Sequence, residues 1–366
     1  MAGVVRSKLR LLRWTLVIPL LAVLVLAATW GSKPAAAVLV LVAVFLAGSV
    51  LAAVYHAEVV AHRVGEPFGS LVLAVAVTVI EVALIVTLMG SGESETATLA
   101  RDTVFAAVMI TCNGILGLCI LLGALRRRVA SFNAEGTATA LATVLTLATL
   151  SLVLPTFTTS RPGPEFSPAQ LAFAAGASIA LYALFVVVQT VRHRDYFLPA
   201  GADAADPDEH ASPPSDREAL VGLGLLLVAL VAVVGLAKVE SPAIEDAVDA
   251  VGAPPSAVGV VIALLVLLPE TLAAVRNARR NRMQTSFNLA LGSAMASIGL
   301  TIPAIAIASI WLEGPLELGL GATQMVLLAI TAVVGALTVL PGRATVQEGG
   351  VHLVLFGAFV FLAINP

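Results

Sequence analysis

An all-α polytopic membrane protein of about eleven transmembrane helices is expected from three features of the chain. It is 59% hydrophobic and only 12% charged, roughly half the charged fraction of a soluble domain. Its apolar residues gather into runs close to the ~20 residues that cross a bilayer core. Its Lys and Arg residues fall almost entirely between alternate runs, the bias of a cytoplasmic side.

The runs lie at 14–30, 35–55, 69–90, 103–125, 136–155, 168–191, 219–237, 256–275, 285–310, 319–340 and 350–364. The first follows Arg6, Lys8, Arg10 and Arg13 and ends in Ala-Ala-Thr-Trp-Gly-Ser, as a cleavable leader does. It is nevertheless long enough to span, and a second run follows a short Gly-Ser-Lys-Pro turn, so an uncleaved first helix is expected. The last run is short and is expected to tilt little or to be partly interfacial. With a cytoplasmic N-terminus, only Lys33, Arg101, Arg161 and Lys238 of the 20 Lys and Arg residues lie outside. This places the chain in the inner (plasma) membrane with its C-terminus outside. The bilayer is its expected surrounding, and a homo-oligomer is compatible with that. The net charge of -3 gives no sign of a nucleic-acid partner. Cys112 and Cys119 share one apolar run, which is neither a disulfide framework nor a zinc pattern, and no cofactor is expected.

The organisation follows from the same pattern. Residues 1–30 are an extra first helix, 31–191 a first five-helix repeat, 192–217 an acidic cytoplasmic linker and 218–366 a second five-helix repeat. The linker carries Asp203, Asp206, Asp208, Glu209 and Asp216 among Ala and Pro, and reads as a solvated tether able to gather cations. Two passages reveal the repeat. Val64-Gly65-Glu66-Pro67 leads into an apolar run reaching Glu81, and Val251-Gly252-Ala253-Pro254 into one reaching Glu270. The spacing differs by two residues, compatible with the extra Pro255 and a helix broken at Pro269. An odd number of spans separates the two Glu-bearing helices, so the repeats are inverted. Inverted repeats place a substrate site at their interface near the midplane, where the two acids would meet.

Only Glu81 and Glu270, of 23 Asp and Glu residues, fall well inside the expected spans. A carboxylate there is costly and is a functional candidate by default. No Lys or Arg lies inside a span to pair with either one. Hard cations take oxygen ligands, and burial favours the neutral form of any carboxyl. Protons and a cation therefore compete for the same oxygens, the minimum needed for antiport. Thr78, one turn before Glu81, and Asn113, Asn288 and Ser293 could complete the oxygen set, or serve equally as interhelical glue. A juxtamembrane group, His56, Glu58, His62 and Glu66, could take up protons or sense pH at the cytoplasmic mouth, or could simply form a polar loop capping the third span.

These residues also resemble a known family. His-Ala-Glu at 56–58, Ala-His-Arg at 61–63, Gly-Glu-Pro-Phe-Gly-Ser at 65–70 and Val-Ile-Glu-Val at 79–82 are similar to Cha-type bacterial calcium/proton and sodium-potassium/proton antiporters of the calcium/cation antiporter superfamily. So are Pro-Glu at 269–270, Met-Gln-Thr-Ser-Phe-Asn-Leu at 283–289 and the passage 292–303. The resemblance implies two inverted five-helix repeats after an extra helix, with Glu81 and Glu270 as the motif acids. Vacuolar-type exchangers carry Gly-Asn three to four residues before each motif acid, whereas Thr78 and Leu267 hold the −3 positions here. Ca2+, Na+ and K+ therefore stay open as cargo.

The expected function is secondary export of one of these cations against protons, not an enzymatic reaction. The alternative is a proton-driven exporter of a small organic cation, which predicts aromatic residues near the acids. The runs around Glu81 and Glu270 have none. An intramembrane enzyme would need a histidine or nucleophile at depth, and no span is expected to hold a mid-membrane histidine. ATP-driven transport lacks its Gly-x-x-x-x-Gly-Lys loop.

Overall fold

A computed structural model describes residues 2–32, 34–65, 68–89, 97–198, 214–250, 252–311 and 314–366. The chain is helical almost throughout: α1 (Ala2–Thr29), α2 (Ala36–Val64), α3 (Phe68–Met89), α4 (Leu99–Met109), α5 (Leu116–Arg127), α6 (Ala134–Ala148), α7 (Leu154–Phe157), α8 (Pro168–Val187), α9 (Asp216–Ala250), α10 (Ser256–Val266), α11 (Leu268–Arg279), α12 (Met283–Ala308), α13 (Ala322–Val339) and α14 (Val346–Ile364). Two-residue strands β1 (Ala130–Ser131) and β2 (Arg343–Ala344) pair antiparallel. Among the described residues, nine helical stretches are long and apolar enough to cross a bilayer, and the bent pair α10–α11 makes a tenth. The remaining expected span is the shorter apolar stretch Trp14–Thr29.

Backbone chemistry explains where the spans bend. Wider turns at Ile110–Ile115, Thr149–Val153 and Val188–Arg192 interrupt the α-helical ladder. The second precedes Pro155, which has no N–H to give the Ser151 carbonyl. The break at Leu267 precedes Pro269, and α11 leaves α10 at 52°. A broken helix at Pro269 is thus found as expected.

Two helices extend past the expected ends of their runs by nine residues or more. The run expected at 35–55 continues as helix to Val64, so His56, Glu58, His62 and Arg63 sit on the last turns of α2 and not in a loop. The run expected at 219–237 becomes a 35-residue helix, α9, that passes through Pro242. Polar residues do not end a helix by themselves. Gly65, at φ 76°, does end α2 by taking the left-handed conformation. Gly252, ahead of α10, also has a positive φ (67°).

The chain packs as two units, residues 1–91 with 212–250, and 92–211 with 251–366. In the first, α2 packs against α1, α3 and α9, and α9 also touches α1 and α3. His56 reaches the Thr15 carbonyl of α1 (Nε2 to oxygen 3.1 Å). Arg63 pairs with Asp216 of the linker, so α3 and α9 begin on one side and run parallel. The rest of the acidic linker, with Asp203, Asp206, Asp208 and Glu209, lies outside the described residues.

In the second unit the span Leu99–Arg127 is central, with 83% of its apolar window buried. α10 packs on α4, α14 on α5, and α12 on α6, α8 and α11. The β1–β2 pair joins the α5–α6 and α13–α14 connections, and Arg126 donates to the Arg279 carbonyl beside them. At the opposite helix ends Arg101 donates to the Gly319 carbonyl, and Gly319 N–H to that of Pro164. Arg126, Arg279 and Arg343 thus gather at one end of the unit and Arg101 at the other, the division the charge pattern requires.

Candidate functional site

Glu81 lies in the fourteenth position of α3 and is 2% exposed. Apolar residues fill the helix around it, and Thr78 stands one turn earlier, also buried. The Thr78 hydroxyl, like those of Ser49 and Thr103, departs from the usual helix pattern. Thr111, Thr146, Thr190 and Thr271 each donate to the carbonyl four residues before, at 2.6–2.8 Å. Thr78 Oγ1 is buried and has no hydrogen-bond partner among the described residues. A buried hydroxyl that forgoes its own carbonyl is an oxygen held available beside a buried acid.

Glu270 belongs to the other unit and is half-buried in the first turn of α11. The break at Leu267 creates that helix N-terminus, where free N–H groups and the helix dipole favour an anion. Thr271 Oγ1 donates to the Leu267 carbonyl at 2.7 Å and fixes the turn. The sequence repeat therefore places its acids differently: one inside a continuous helix, one at a helix start.

The amide candidates are engaged by protein. Asn113 lies fully buried in the wide turn Ile110–Ile115, its Nδ2 donating to Thr331 Oγ1 at 2.9 Å. Its Oδ1 can only accept, so the His352 Nδ1 at 3.1 Å donates to it. His352 Nε2 meets Thr338 Oγ1, also at 3.1 Å. Asn288, half-buried on α12, donates to the Phe197 carbonyl at 2.6 Å and accepts from Gln284 Nε2 at 2.9 Å. Ser293 is half-buried on α12, about 140° around the helix from Asn288 at ~100° per residue. Asn113 ties the α4–α5 span to α13 and α14, and Asn288 ties α12 to the chain at Phe197, all within one unit.

The juxtamembrane group divides. His56 is buried on α2 and held by α1, whereas Glu58 and His62 are exposed on the same helix. Glu66 lies outside the described residues.

Three buried polar groups have no counterpart in the expectations. His352 is fully buried in the second turn of the span Val346–Ile364. Asp102, in the first turn of α4, and Glu240, on α9, lie beyond the apolar runs expected at 103–125 and 219–237 but within the longer helices. Asp102 is neutralised where it stands, by Arg101 Nε at 2.8 Å, Thr98 Oγ1 at 2.7 Å and Gln324 Nε2 at 3.3 Å. Each was hidden at the polar edge of a run. Fixing helix bounds by the nearest left-handed glycine, and not by hydropathy, would have drawn Glu240 inward.

Comparison with known proteins closes the assignment. The family model described as sodium/calcium exchanger protein matches residues 34–191 and 221–365. The chain is 46% identical to protein y4hA of Sinorhizobium fredii, covering 96% of each. It is 34% identical to the sodium-potassium/proton antiporter ChaA of Escherichia coli, covering 94% of each. Its fold matches the crystal structure of the H+/Ca2+ exchanger CAX with a TM-score of 0.72 at 18% identity, over 97% of this chain and 88% of that one. With its apolar helices and these matches, this chain belongs to the sodium/calcium exchanger protein family and is a multi-pass membrane cation antiporter.

Proposed function

We propose that the chain exports Ca2+, Na+ or K+ in exchange for protons, with Glu81 and Glu270 each alternating between a proton and the cation. The orphaned Thr78 hydroxyl one turn before buried Glu81 carries this reading. A structural acid would keep such a hydroxyl for itself or leave it on its own carbonyl; a transported ion with oxygen ligands needs it free. Asn113, Asn288 and Ser293 are secondary. Both amides already have protein partners and retain one carbonyl lone pair each for an ion.

The relatives bear on the cargo. One is named for sodium-potassium/proton exchange, and a structural neighbour for H+/Ca2+ exchange. The arginine-rich ends of the second unit correspond to the cytoplasm by the positive-inside rule, with the N-terminus inside and the C-terminus outside. His62 and Glu58, exposed on the last turns of α2, then face the cytoplasmic mouth, where protons leave or arrive.

The test is a pH-gradient assay in inside-out vesicles, adding Ca2+, Na+ and K+ in turn. A cargo ion discharges the gradient and the others do not. If none of the three discharges it and a small organic cation does, the inorganic-cation reading is wrong.

A further inference from the structure

Glu240 lies within the membrane-length helix α9 and is 8% exposed. Its Oε2 is shielded from solvent and has no hydrogen-bond partner among the described residues. The residues one turn before it on its own face, Leu236 and Ala237, are buried and apolar. An ionised carboxylate is expensive in such a place, and a carboxylic acid is not. The nearest cation along the chain, Lys238, is turned elsewhere. It is exposed, and its Nζ stands 5.6 Å from the centre of the Trp30 ring. Residues two apart do not share a helix face.

Position gives this acid a use. α9 packs directly on α3, the helix of Glu81, and runs parallel to it. Glu240 is about 36 Å along α9 from Asp216, and Glu81 about 20 Å along α3 from Phe68, at 1.5 Å per residue. Glu240 is therefore nearer the far end, at the level of Trp30 and Lys238, a pair suited to a membrane–water boundary. The chain just beyond it carries Glu245, Asp246 and Asp249. On the outer halves of α1, α2 and α3, the helices packed against it, no other ionisable side chain lies between Glu81 and this end.

We infer that Glu240 is a proton-binding station on the outer side, exchanging protons between the external solution and the first unit. It rests on the reading of Glu81 as a proton carrier. No bond other than O–H forms or breaks: the proton leaves hydronium outside, occupies the Glu240 carboxyl, and departs inward.

The test compares wild type, Glu240→Gln and Glu240→Asp in right-side-out vesicles, measuring exchange rate against external pH at fixed internal pH. Infrared difference spectra of the purified proteins follow the C=O stretch of protonated carboxyl groups. Glu240→Gln should lose one pH-dependent carboxyl band, slow exchange about tenfold or more, and flatten the external-pH profile. Glu240→Asp should restore part of that profile. An unchanged profile and rate in Glu240→Gln, or an unchanged set of carboxyl bands, overturns the inference. So does a uniform loss of rate in which the profile keeps its wild-type shape. Glu81→Gln separates the two readings: exchange surviving in that variant defeats the role of Glu81, while the Glu240 band stands or falls alone.

Discussion

At the scale of single residues, the structure separates polar groups that hold the fold from those that stay available. The Asn113–His352–Thr331–Thr338 group is closed: its ring nitrogens and amide atoms have partners, and all four residues are buried. Asn113→Ala should cost about 1–3 kcal/mol, the penalty of orphaning buried donors, read as a fall in the thermal midpoint in detergent. Thr78→Val should leave that midpoint nearly unchanged, because no bond is lost, yet raise the cation concentration giving half-maximal exchange several-fold. An unaltered cation dependence would make Thr78 a packing residue. Glu81 was legible because it interrupts a long apolar run. His352 was not, because it lies near the start of a short run, with Glu348 one turn before it. Only the fold shows that this turn is buried against Asn113.

Helices contribute through how closely their backbones approach. Gly117 and Gly349 let α5 and α14 touch: a Cβ on Gly117 would stand 2.8 Å from the His352 Cβ, and one on Gly349 2.8 Å from the Leu121 nitrogen. Gly349→Ala should therefore push α14 off α5 and cost about 1–3 kcal/mol, again read as a lower thermal midpoint. Gly350→Ala, with nothing within 4 Å, is the control and should be neutral. The positive-φ glycines Gly65 and Gly252 were readable in sequence as breaks because glycine takes such backbone shapes freely. The length of α9 was not. Pro242 and the charges after it read as a stop, but packing against α1, α2 and α3 carries the helix through.

For the whole molecule, hydropathy gave the class and the order of spans, since bilayer thickness acts on the whole chain at once, and the positive-inside bias carries the proposed sidedness. Packing followed another logic. The compact units cut across the expected repeats, with α1, α2, α3 and α9 in one and the remainder in the other, which pairwise burial decides and sequence periodicity does not record. Sidedness can be read with single cysteines, since Cys112 and Cys119 are buried and give little background. Arg343→Cys should react with an impermeant thiol reagent only in inside-out vesicles, and Arg161→Cys only in right-side-out ones. The central claim is that two acids alternate between cation and proton, and proteoliposomes measure it directly. Cation uptake and proton release are recorded together for wild type, Glu81→Gln and Glu270→Gln, each checked for intact folding. The account predicts coupled fluxes in wild type and loss of both in each variant. Coupled exchange persisting in either variant would contradict it.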